Sequence, residues 1–410
     1  GDNNLVIGRD AASGLKTSGA IIIGSGNALN VSGTEILTIG NGNLISGFGG
    51  SGVIAIGNNI LSTGLASSGV FVTGIIAIGN DINLRGTSSQ NSVAIGRQTF
   101  ERTTPVDSVA IGSGAASRIT GSPNLLNYSI FVGNKAGHEI SGRTDGGTFV
   151  GHEAGAESQT NTTFPNNTAI GASALEKGSG EKILAVGAYA LFSGHGNHNT
   201  AVGYQSLISG LGSGNASLGY RAGTDISGDN NICIGNAAGI EISGDNNIAI
   251  GYLALSGTAS SGNTAVGYQA LTSNTTGYDN TAIGYQALTS NTTGYDNTAL
   301  GHQALTSNTT AGDNTAVGRL ALRDNTIGNG NTAIGADALR DNISGTLNTA
   351  VGNFALAFNE TGRYNTAIGY GCHAFNSGGN SNVAVGYNAL YSNNIGNNNV
   401  ALGFAALTSN

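Results

Sequence analysis

The chain has 410 residues, of which 69 are glycine and only 9% are charged, and it contains no methionine or tryptophan. Its net charge of −8 does not provide the basic surface of a nucleic-acid-binding protein, and no apolar stretch reaches the roughly 18 residues that a membrane-spanning helix needs. The absence of an initiator methionine and of a signal peptide suggests a processed product or a piece of a longer protein. The evenly spaced apolar residues favour an ordered fold over disorder.

A recurring glycine, which we call the anchor glycine, marks a repeat along the whole chain. It follows a short apolar run such as "LVIG", "VAIG" or "TAIG". Self-similarity at a short, nearly constant period predicts a solenoid in which each copy is one coil. The anchor glycines occur at positions 8, 24, 40, 57, 79, 96, 112, 133, 151, 171, 187, 203, 219, 235, 251, 267, 284, 301, 318, 335, 352, 369, 386 and 403.

The spacing of the anchors divides the chain into four segments of one continuous predicted solenoid. Residues 1–56 form regular β-roll coils, and residues 57–170 form irregular coils of 16 to 22 residues with excursion loops. Residues 171–266 form strict 16-residue coils, and residues 267–410 form strict 17-residue coils. Loops on a rigid scaffold often carry function, so the loops at 61–73, 116–129 and 153–167 are candidates for specific contacts.

Each coil begins with a short strand. The residue before the anchor is Ile, Val or Leu in every copy, as in Ile283 and Ile334, and the residue three before it is aliphatic or Thr. An alanine such as Ala282 usually lies between them, so the strand has one large face and one small face. We expect the large face to form the core and the alanine face to pack against another chain. A second short strand is expected after the anchor, followed by tight turns.

Stacking such coils about 4.8 Å apart places equivalent residues in columns and gives a rod on the order of 115 Å long. A glycine column marks a corner where a Cβ would clash, and an asparagine column four residues earlier can link its amides along the stack. The predicted structural ladder comprises Gly267, Gly284, Gly301, Gly318, Gly335, Ile283, Ile334, Asn263, Asn280 and Asn297.

The repeats "NSVAIG" at 91–96 and "DSVAIG" at 107–112, together with the many "NTAVG" and "NTAIG" copies, resemble the head repeats of trimeric autotransporter adhesins. Similar "NTAxGYxAL" arrays occur in phage tail-fibre proteins. The resemblance implies a left-handed parallel β-roll with three chains wound side by side about one axis. It also implies exposure outside the cell or on a virion, and binding to a host cell, matrix or glycan. The coils of this chain, at 16 to 17 residues, are longer than those typical of adhesin heads.

The search for catalytic or cofactor-binding motifs returns nothing convincing. There is no Gly-x-Ser-x-Gly elbow and no phosphate-binding Gly-Lys-Ser/Thr loop, so no catalytic residue and no cofactor is predicted. His195 and His198 are interpreted as a surface pair, and His302 as a variant in a tyrosine column. Cys233 and Cys372 occupy alanine positions and are expected to be free, buried fillers.

Several turn residues allow two interpretations. The stacked Asp279, Asp296 and Asp313 are weak calcium-site candidates, or solvated turn residues that bond their own backbone. The recurring tyrosine after the anchor either binds sugars or packs between coils or chains. The sequons at Asn274, Asn291 and Asn308 could carry glycans, or they arise from composition alone. The arginines and aspartates of the two "LRDN" stretches, Arg323, Asp324, Arg340 and Asp341, are expected to neutralise each other.

The sequence therefore predicts an all-β, parallel β-solenoid of about 24 coils that acts as a non-catalytic extracellular fibre or adhesin, either a trimeric shaft or a head. The expected location is extracellular, on a cell surface or on a virion, and the expected partners are further copies of the chain and a host receptor. Nucleic-acid binding and membrane insertion are not expected. An alternative is a filament assembled end to end. The chain lacks the paired carboxylates that a polysaccharide depolymerase would need. An ice-binding threonine face is disfavoured because the threonines are expected to share the core-facing side with Ile.

Overall fold

A computed structural model describes residues 3–11, 18–31, 34–47, 51–63, 73–85, 89–101, 104–119, 125–141, 144–157, 166–257 and 260–409. The chain divides into two compact units, Gly1–Ser209 (unit 1) and Gly210–Asn410 (unit 2). The described residues contain no helix, and each unit is an all-β, parallel β-solenoid. The predicted all-β, parallel β-solenoid is thus confirmed.

Unit 1 contains one main parallel sheet and two small sheets. The main sheet consists of β1, β2, β4, β6, β8, β10, β12, β14 and β16–β19, and the small sheets consist of β3, β5, β7 and β9, and of β11, β13 and β15. The strands are β1 (Leu5–Ile7), β2 (Ile21–Ile23), β3 (Ala28–Val31), β4 (Thr34–Ile39), β5 (Leu44–Gly47), β6 (Ser51–Asn58), β7 (Leu61–Thr63), β8 (Ile76–Asn80), β9 (Asn83–Arg85), β10 (Val93–Arg97), β11 (Thr104–Val106), β12 (Val109–Ile111), β13 (Leu125–Asn127), β14 (Ile130–Val132), β15 (Thr144–Asp145), β16 (Thr148–Val150), β17 (Thr168–Ile170), β18 (Leu184–Val186) and β19 (Thr200–Val202).

Unit 2 contains a single parallel sheet with one three-residue strand per coil. The strands are β20 (Ala216–Leu218), β21 (Ile232–Ile234), β22 (Ile248–Ile250), β23 (Thr264–Val266), β24 (Thr281–Ile283), β25 (Thr298–Leu300), β26 (Thr315–Val317), β27 (Thr332–Ile334), β28 (Thr349–Val351), β29 (Thr366–Ile368), β30 (Val383–Val385) and β31 (Val400–Leu402).

The pairing register follows the sequence repeat. In β23 and β24, for example, Thr264 pairs with Thr281 and Ala265 with Ala282, a shift of one 17-residue coil. Like therefore stacks on like, as the anchor spacing predicts. The backbone N–H and C=O groups of each strand bond to the coils on either side, which satisfies them without a second layer.

The segment after the anchor differs from the prediction in the strict coils. The coils of β3, β5, β7 and β9 do have a second strand, but in the 17-residue coils this segment is made of turns. Gln286 and Leu288 have φ values of 52°, so the backbone alternates between right- and left-handed conformations. This alternation still points N–H groups along the stack, because Leu288 N–H donates to Ala304 O at 3.0 Å. The predicted second strand is therefore wrong for these coils.

The core contains the opposite strand face from the one expected. The alanines two residues before the anchor, such as Ala282 and Ala333, are fully buried, whereas Ile283 is 38% exposed and Ile334 is 42% exposed. The interior of a 16- or 17-residue coil is narrow, and it is filled by this alanine, by an Ala–Leu pair after the anchor such as Ala287 and Leu288, and by asparagine amides. Burying each leucine contributes roughly 1.5–3 kcal/mol. In coils that carry the Ala–Leu pair, the leucine fills the interior beside the alanine, and the large aliphatic residues lie on the outward face. Where glycines, Gly137 and Gly155, stand in this segment, Phe131 and Phe149 occupy the inward position instead.

The anchor glycines form the predicted corner. Their φ values lie near +135°, a region that residues with a Cβ rarely adopt, as for Gly284 at 140°. A Cβ on Gly284 would also lie 2.3 Å from the carbonyl oxygen of Gly301 in the next coil. Both the backbone conformation and the close stacking therefore require glycine.

The predicted asparagine ladder is present and fully buried. Asn280 donates its backbone N–H and its side-chain amide to Asn263 Oδ1 at 3.1 and 3.2 Å, and its amide also reaches the Gly294 carbonyl at 2.8 Å. Asn297 repeats the pattern on Asn280. The amide of each asparagine thus links the coils on both sides, and its buried polar atoms are satisfied.

A second asparagine ladder was not predicted. Asn291 donates to Asn274 Oδ1 and to the Gly294 carbonyl, both at 2.9 Å, and Asn308 donates to Asn291 Oδ1 at 2.9 Å. These are the asparagines of the three sequons, and each of them is at most 1% exposed. A glycan on any of them cannot coexist with this packing, so the glycan interpretation is wrong for the folded chain. The NTT triplets supply the ladder and its turn.

Candidate functional site

The outward strand face of unit 2 presents three parallel columns of side chains. The first contains the threonines three residues before the anchor, such as Thr281, and the second contains aliphatic residues such as Ile283. The third contains aromatic residues just after the anchor, such as Tyr285, which is 46% exposed. The threonines share the outward face with Ile, so the expectation that both face the core is wrong.

The aromatic column is continuous over four coils. Tyr252, Tyr268, Tyr285 and His302 stack with ring centroids 5.1 to 5.2 Å apart and interplanar angles of 7° to 20°. His302 is therefore a variant within the column, as predicted. Each ring packs on its neighbours from adjacent coils and exposes its edge, so the interpretation as packing between coils is confirmed.

The aspartate column does not gather a metal site. Asp279, Asp296 and Asp313 are exposed and have φ values between 52° and 59°, a left-handed conformation that Asp tolerates well. Across the ranges that the structure describes, no group of three or more His, Cys, Asp or Glu could hold a metal ion. These residues therefore serve as turn residues. Asp229, in an earlier turn, accepts the backbone N–H of Ser213 at 2.7 Å and so links adjacent coils.

The arginines and aspartates of the two LRDN stretches form the predicted mutual pairs and a wider network. Arg323 binds Asp324 through two nitrogens and reaches Asp341 at 3.4 Å. Arg340 binds Asp341 at 2.6 and 2.8 Å, and its guanidinium lies 3.7 Å from Asp337. The hydrogen bond to Asp324 raises the pKa of Arg323 above its ordinary value. Opposite charges in neighbouring coils thus neutralise one another across these five side chains.

The two cysteines are free and buried, as predicted. Burial raises the pKa of the Cys233 thiol to about 12 and that of Cys372 to about 11, so both stay protonated and unreactive. The neighbouring His373 was not singled out by the sequence reasoning. It replaces the core leucine of its coil, is fully buried, and neither ring nitrogen has a hydrogen-bond partner of good geometry among the described residues. Burial lowers the pKa of His373 to about 4, and the nearby Asn393 backbone only partly offsets this.

A cluster of charged side chains in unit 1 was also missed. Residues 97–157 hold eleven charged residues in 61 positions, about twice the density of the whole chain, and this density was the available signal. The loop residues 64–72, 120–124 and 158–165, which carry much of the predicted contact loops, lie outside the described residues. The charged cluster instead occupies the turns that follow the anchors at 96, 112, 133 and 151.

The cluster surrounds a polar pocket of about 290 Å³. The pocket exists because the coil after Gly112 carries small residues, Ser113, Gly114 and Ser117, between coils that carry long ones. The missing side-chain volume leaves a depression one coil wide. It is lined by Arg97, Gln98, Glu101, Ser113, Gly114, Ser117, Arg118, Asn134, Lys135 and His138.

Two of the three cations of the pocket are paired along the stack. Arg118 contacts Glu139 at 3.0 Å, and Lys135 contacts Glu153 at 2.9 Å. The hydrogen bond to Glu153 raises the pKa of Lys135, and the same bond lowers the pKa of Glu153. Arg97 is exposed and has no ion-pair partner within the described part of the chain.

A serine and a histidine also meet in this pocket. Ser117 Oγ lies 2.6 Å from His138 Nδ1, and His138 Nε2 lies 3.4 Å from Glu139. Ser117 Oγ also donates to the Gly114 carbonyl at 2.6 Å, so both contacts are satisfied when His138 Nδ1–H donates to Ser117 Oγ. Burial lowers the pKa of His138.

An equivalent Ser–His contact occurs in an exposed turn. Ser179 Oγ lies 2.6 Å from His195 Nδ1, and the two residues also occupy equivalent positions of adjacent coils. Stacking alone therefore produces such pairs. The Ser117–His138 pair is accordingly read as a ladder contact that lines the pocket rather than as an activated nucleophile.

No helix in the described residues is long and apolar enough to cross a membrane. Comparison with known proteins returns no matching family model and no matching curated protein, so the fold and the site stand on their own geometry.

Proposed function

We propose that the chain is a non-catalytic structural protein of the extracellular fibre or adhesin type, exposed on a cell or virion surface, and that three copies associate through the aliphatic column. The observation that carries this proposal is the outward position of one Ile, Val or Leu per coil. Ile283, Leu300 and Ile334 are each about 40% exposed, and they stand in a continuous row without charges. An uncharged apolar row of this length is typical of an interface.

The sequence resemblance supports three copies and a left-handed coil. Repetition supports a structural role, because near-identical coils present many equivalent surfaces rather than one unique site. The arrangement of acids adds to this. Carboxylates of unit 2 pair with arginines, as Asp324 and Asp341 do, or lie one per coil in an exposed column of turn residues, as Asp296 does. Such positions do not favour the converging carboxylates of a depolymerase.

Sedimentation analysis tests the assembly. We expect the chain to sediment at three times its 40.7 kDa mass. The double variant I283E/I334E places two charges in the aliphatic column and should shift the mass towards one chain, because a buried unpaired charge costs several kcal/mol. The control T293E/T310E adds the same charge at exposed turn positions and should keep the wild-type mass. A wild-type monomer, or open-ended filaments, would contradict the trimer.

A second candidate is an ice-binding surface, which the outward threonine column favours. Thr264, Thr281, Thr298 and Thr315 stack in register at one residue per coil on a parallel sheet. This use requires the face to be free in solution, so it competes with the trimer for the same surface. Thermal hysteresis in a solution of the wild-type chain would support it, and freezing at the equilibrium melting point would reject it.

A further inference from the structure

The pocket beside Arg97 has the size and polarity of a small-ligand site. Its volume of about 290 Å³ lies at the lower end of the range for small-molecule pockets, which suits one sugar ring better than a peptide. Arg97, Gln98, Ser113 and Asn134 supply donors and acceptors for hydroxyl groups at its wall. The pocket lies entirely within the coils of unit 1.

The charges of the pocket select the ligand class. Glu139 and Glu153 pair with Arg118 and Lys135, and Glu101, which also lines the pocket, lies 4.0 Å from Arg118. Arg97 is thus the cation of the pocket that has no ion-pair partner among the described residues. The pocket therefore offers a carboxylate one guanidinium that is not already held in an ion pair. The planar guanidinium fits a carboxylate with two parallel hydrogen bonds, whereas a doubly charged phosphate would lack a second available cation.

His138 and Ser117 complete the polar wall. His138 is held against Ser117 at 2.6 Å, and burial lowers the pKa of its imidazole, which favours the neutral form. It therefore adds hydrogen-bonding capacity without adding charge. The chain as a whole carries a net charge of −8, so general attraction does not bring an anion here, and the local guanidinium must supply it.

We propose that this pocket binds a monosaccharide unit that carries a single carboxylate, such as a uronic acid or a sialic acid, with Arg97 holding the carboxylate and the polar wall holding the hydroxyl groups. The site goes beyond the assembly proposed above, because it gives the surface a chemical specificity for acidic glycans.

Isothermal titration calorimetry on the full chain tests the site with methyl β-glucuronide and N-acetylneuraminic acid as probes and methyl β-glucoside as the neutral control. We expect at least one acidic sugar to bind and the neutral sugar to bind at least tenfold more weakly. R97Q should weaken the acidic sugar at least tenfold, whereas R221Q, which removes an exposed arginine in unit 2, should leave it unchanged.

A steric variant tests the need for the pocket's open volume separately from the need for the Arg97 charge. S113Y fills the depression with the aromatic residue that many other coils carry at the same exposed position, so the fold is retained while binding should be lost. Millimolar concentrations of both acidic sugars without a heat of binding would overturn the proposal. Equal affinity for the neutral sugar, or binding that survives both R97Q and S113Y, would overturn it as well. None of these results bears on the mass of the assembly.

Discussion

At the scale of single residues, stability depends on how completely the buried amides of the two asparagine ladders are satisfied. The Oδ1 atom of Asn280 accepts two hydrogen bonds from Asn297, and its amide donates to Asn263 and to the Gly294 carbonyl. A buried donor left without a partner costs about 1–3 kcal/mol. The asparagine ladder therefore contributes to the free energy of unfolding through the identity of its residues rather than through the hydrophobic volume that they bury.

This predicts a large effect of truncating one ladder member. N280A removes the acceptor of two buried N–H groups of Asn297, so we expect a loss of about 2–4 kcal/mol in the free energy of unfolding, measured by denaturant titration. N236A makes the same truncation at an exposed position and should change it by less than about 0.5 kcal/mol. Equal losses in the two variants would show that the amide ladder adds nothing specific.

His373 is the exception among the core residues, and it makes stability depend on pH. The pKa of His373 in the folded chain is about 4, below its ordinary value of 6.5. As the pH falls from 6.5 to 4, the unfolded chain therefore binds a proton at this residue that the folded chain does not bind. The stability contributed by neutral His373 is complete above pH 6.5 and is lost across that window, by about 3 kcal/mol in total. Below pH 4 both states are protonated and the loss stops.

H373L therefore should have two effects. It restores the leucine that Leu356 and Leu390 supply in adjacent coils, which removes two unpartnered buried nitrogens and should raise the free energy of unfolding at pH 7 by about 1–3 kcal/mol. It should also flatten the loss between pH 6.5 and 4. The control H302Y, at an exposed position, should stay within about 0.5 kcal/mol of wild type at pH 7. An unchanged pH slope in H373L would contradict the assignment.

At the scale of the coil, the anchor glycine combines a backbone conformation with a close approach, and the two can be separated. Gly301 has a φ of 144°, and an added Cβ would lie 2.4 Å from the Gly318 carbonyl oxygen. Gly403 has a similar φ of 125°, but nothing lies within 4 Å of its Cβ position. Conformational strain alone costs on the order of 1–3 kcal/mol.

We therefore expect G301A to destabilise the chain clearly more than G403A does, because only the first variant adds a collision with the next coil. The thermal unfolding midpoints of the two variants provide the measurement. G403A should show only the strain of its backbone conformation. Equal shifts would mean that the stacking distance relaxes freely around one added methyl group.

The coil also shows what the sequence could predict. Gly284, Asn280 and the 17-residue register follow from the spacing, because identical residues at a constant period must stack. The choice between Ile283 and Ala282 for the core does not follow, because both strand faces are apolar and the space left for the inward residue depends on how the closed coil is filled by Leu288. The pocket at Ser113 forms because coils with long side chains flank a coil with small ones. The sequence does not reveal this arrangement, because the irregular spacing of residues 57–170 leaves the alignment of those side chains unclear.

At the scale of the whole molecule, the repeat makes stability a sum of local terms. Each 17-residue coil contacts the coils before and after it, and Gln286, for instance, donates to Gln269 at 3.1 Å and accepts from Gln303 at 3.0 Å. In such an array, the contacts between neighbouring coils supply most of the stability, and no single coil is indispensable. Loss of one complete coil therefore joins two surfaces that already match, whereas loss of half a coil joins surfaces that do not.

Deletion of residues 281–297 removes one complete coil and brings Thr298 directly after Asn280, where Thr281 stood. We expect this variant to keep the far-ultraviolet circular dichroism of the wild type and to shift the thermal midpoint by less than about 5 °C, because the ladders rejoin in register. Deletion of residues 281–288 removes a strand and its anchor and moves every following turn out of register. It should unfold the coils around the deletion and lower the midpoint much further, since buried amides and leucines lose their partners. If both deletions are equally harmful, the coils do not behave as interchangeable units, and the structural role proposed for the repeat loses its basis.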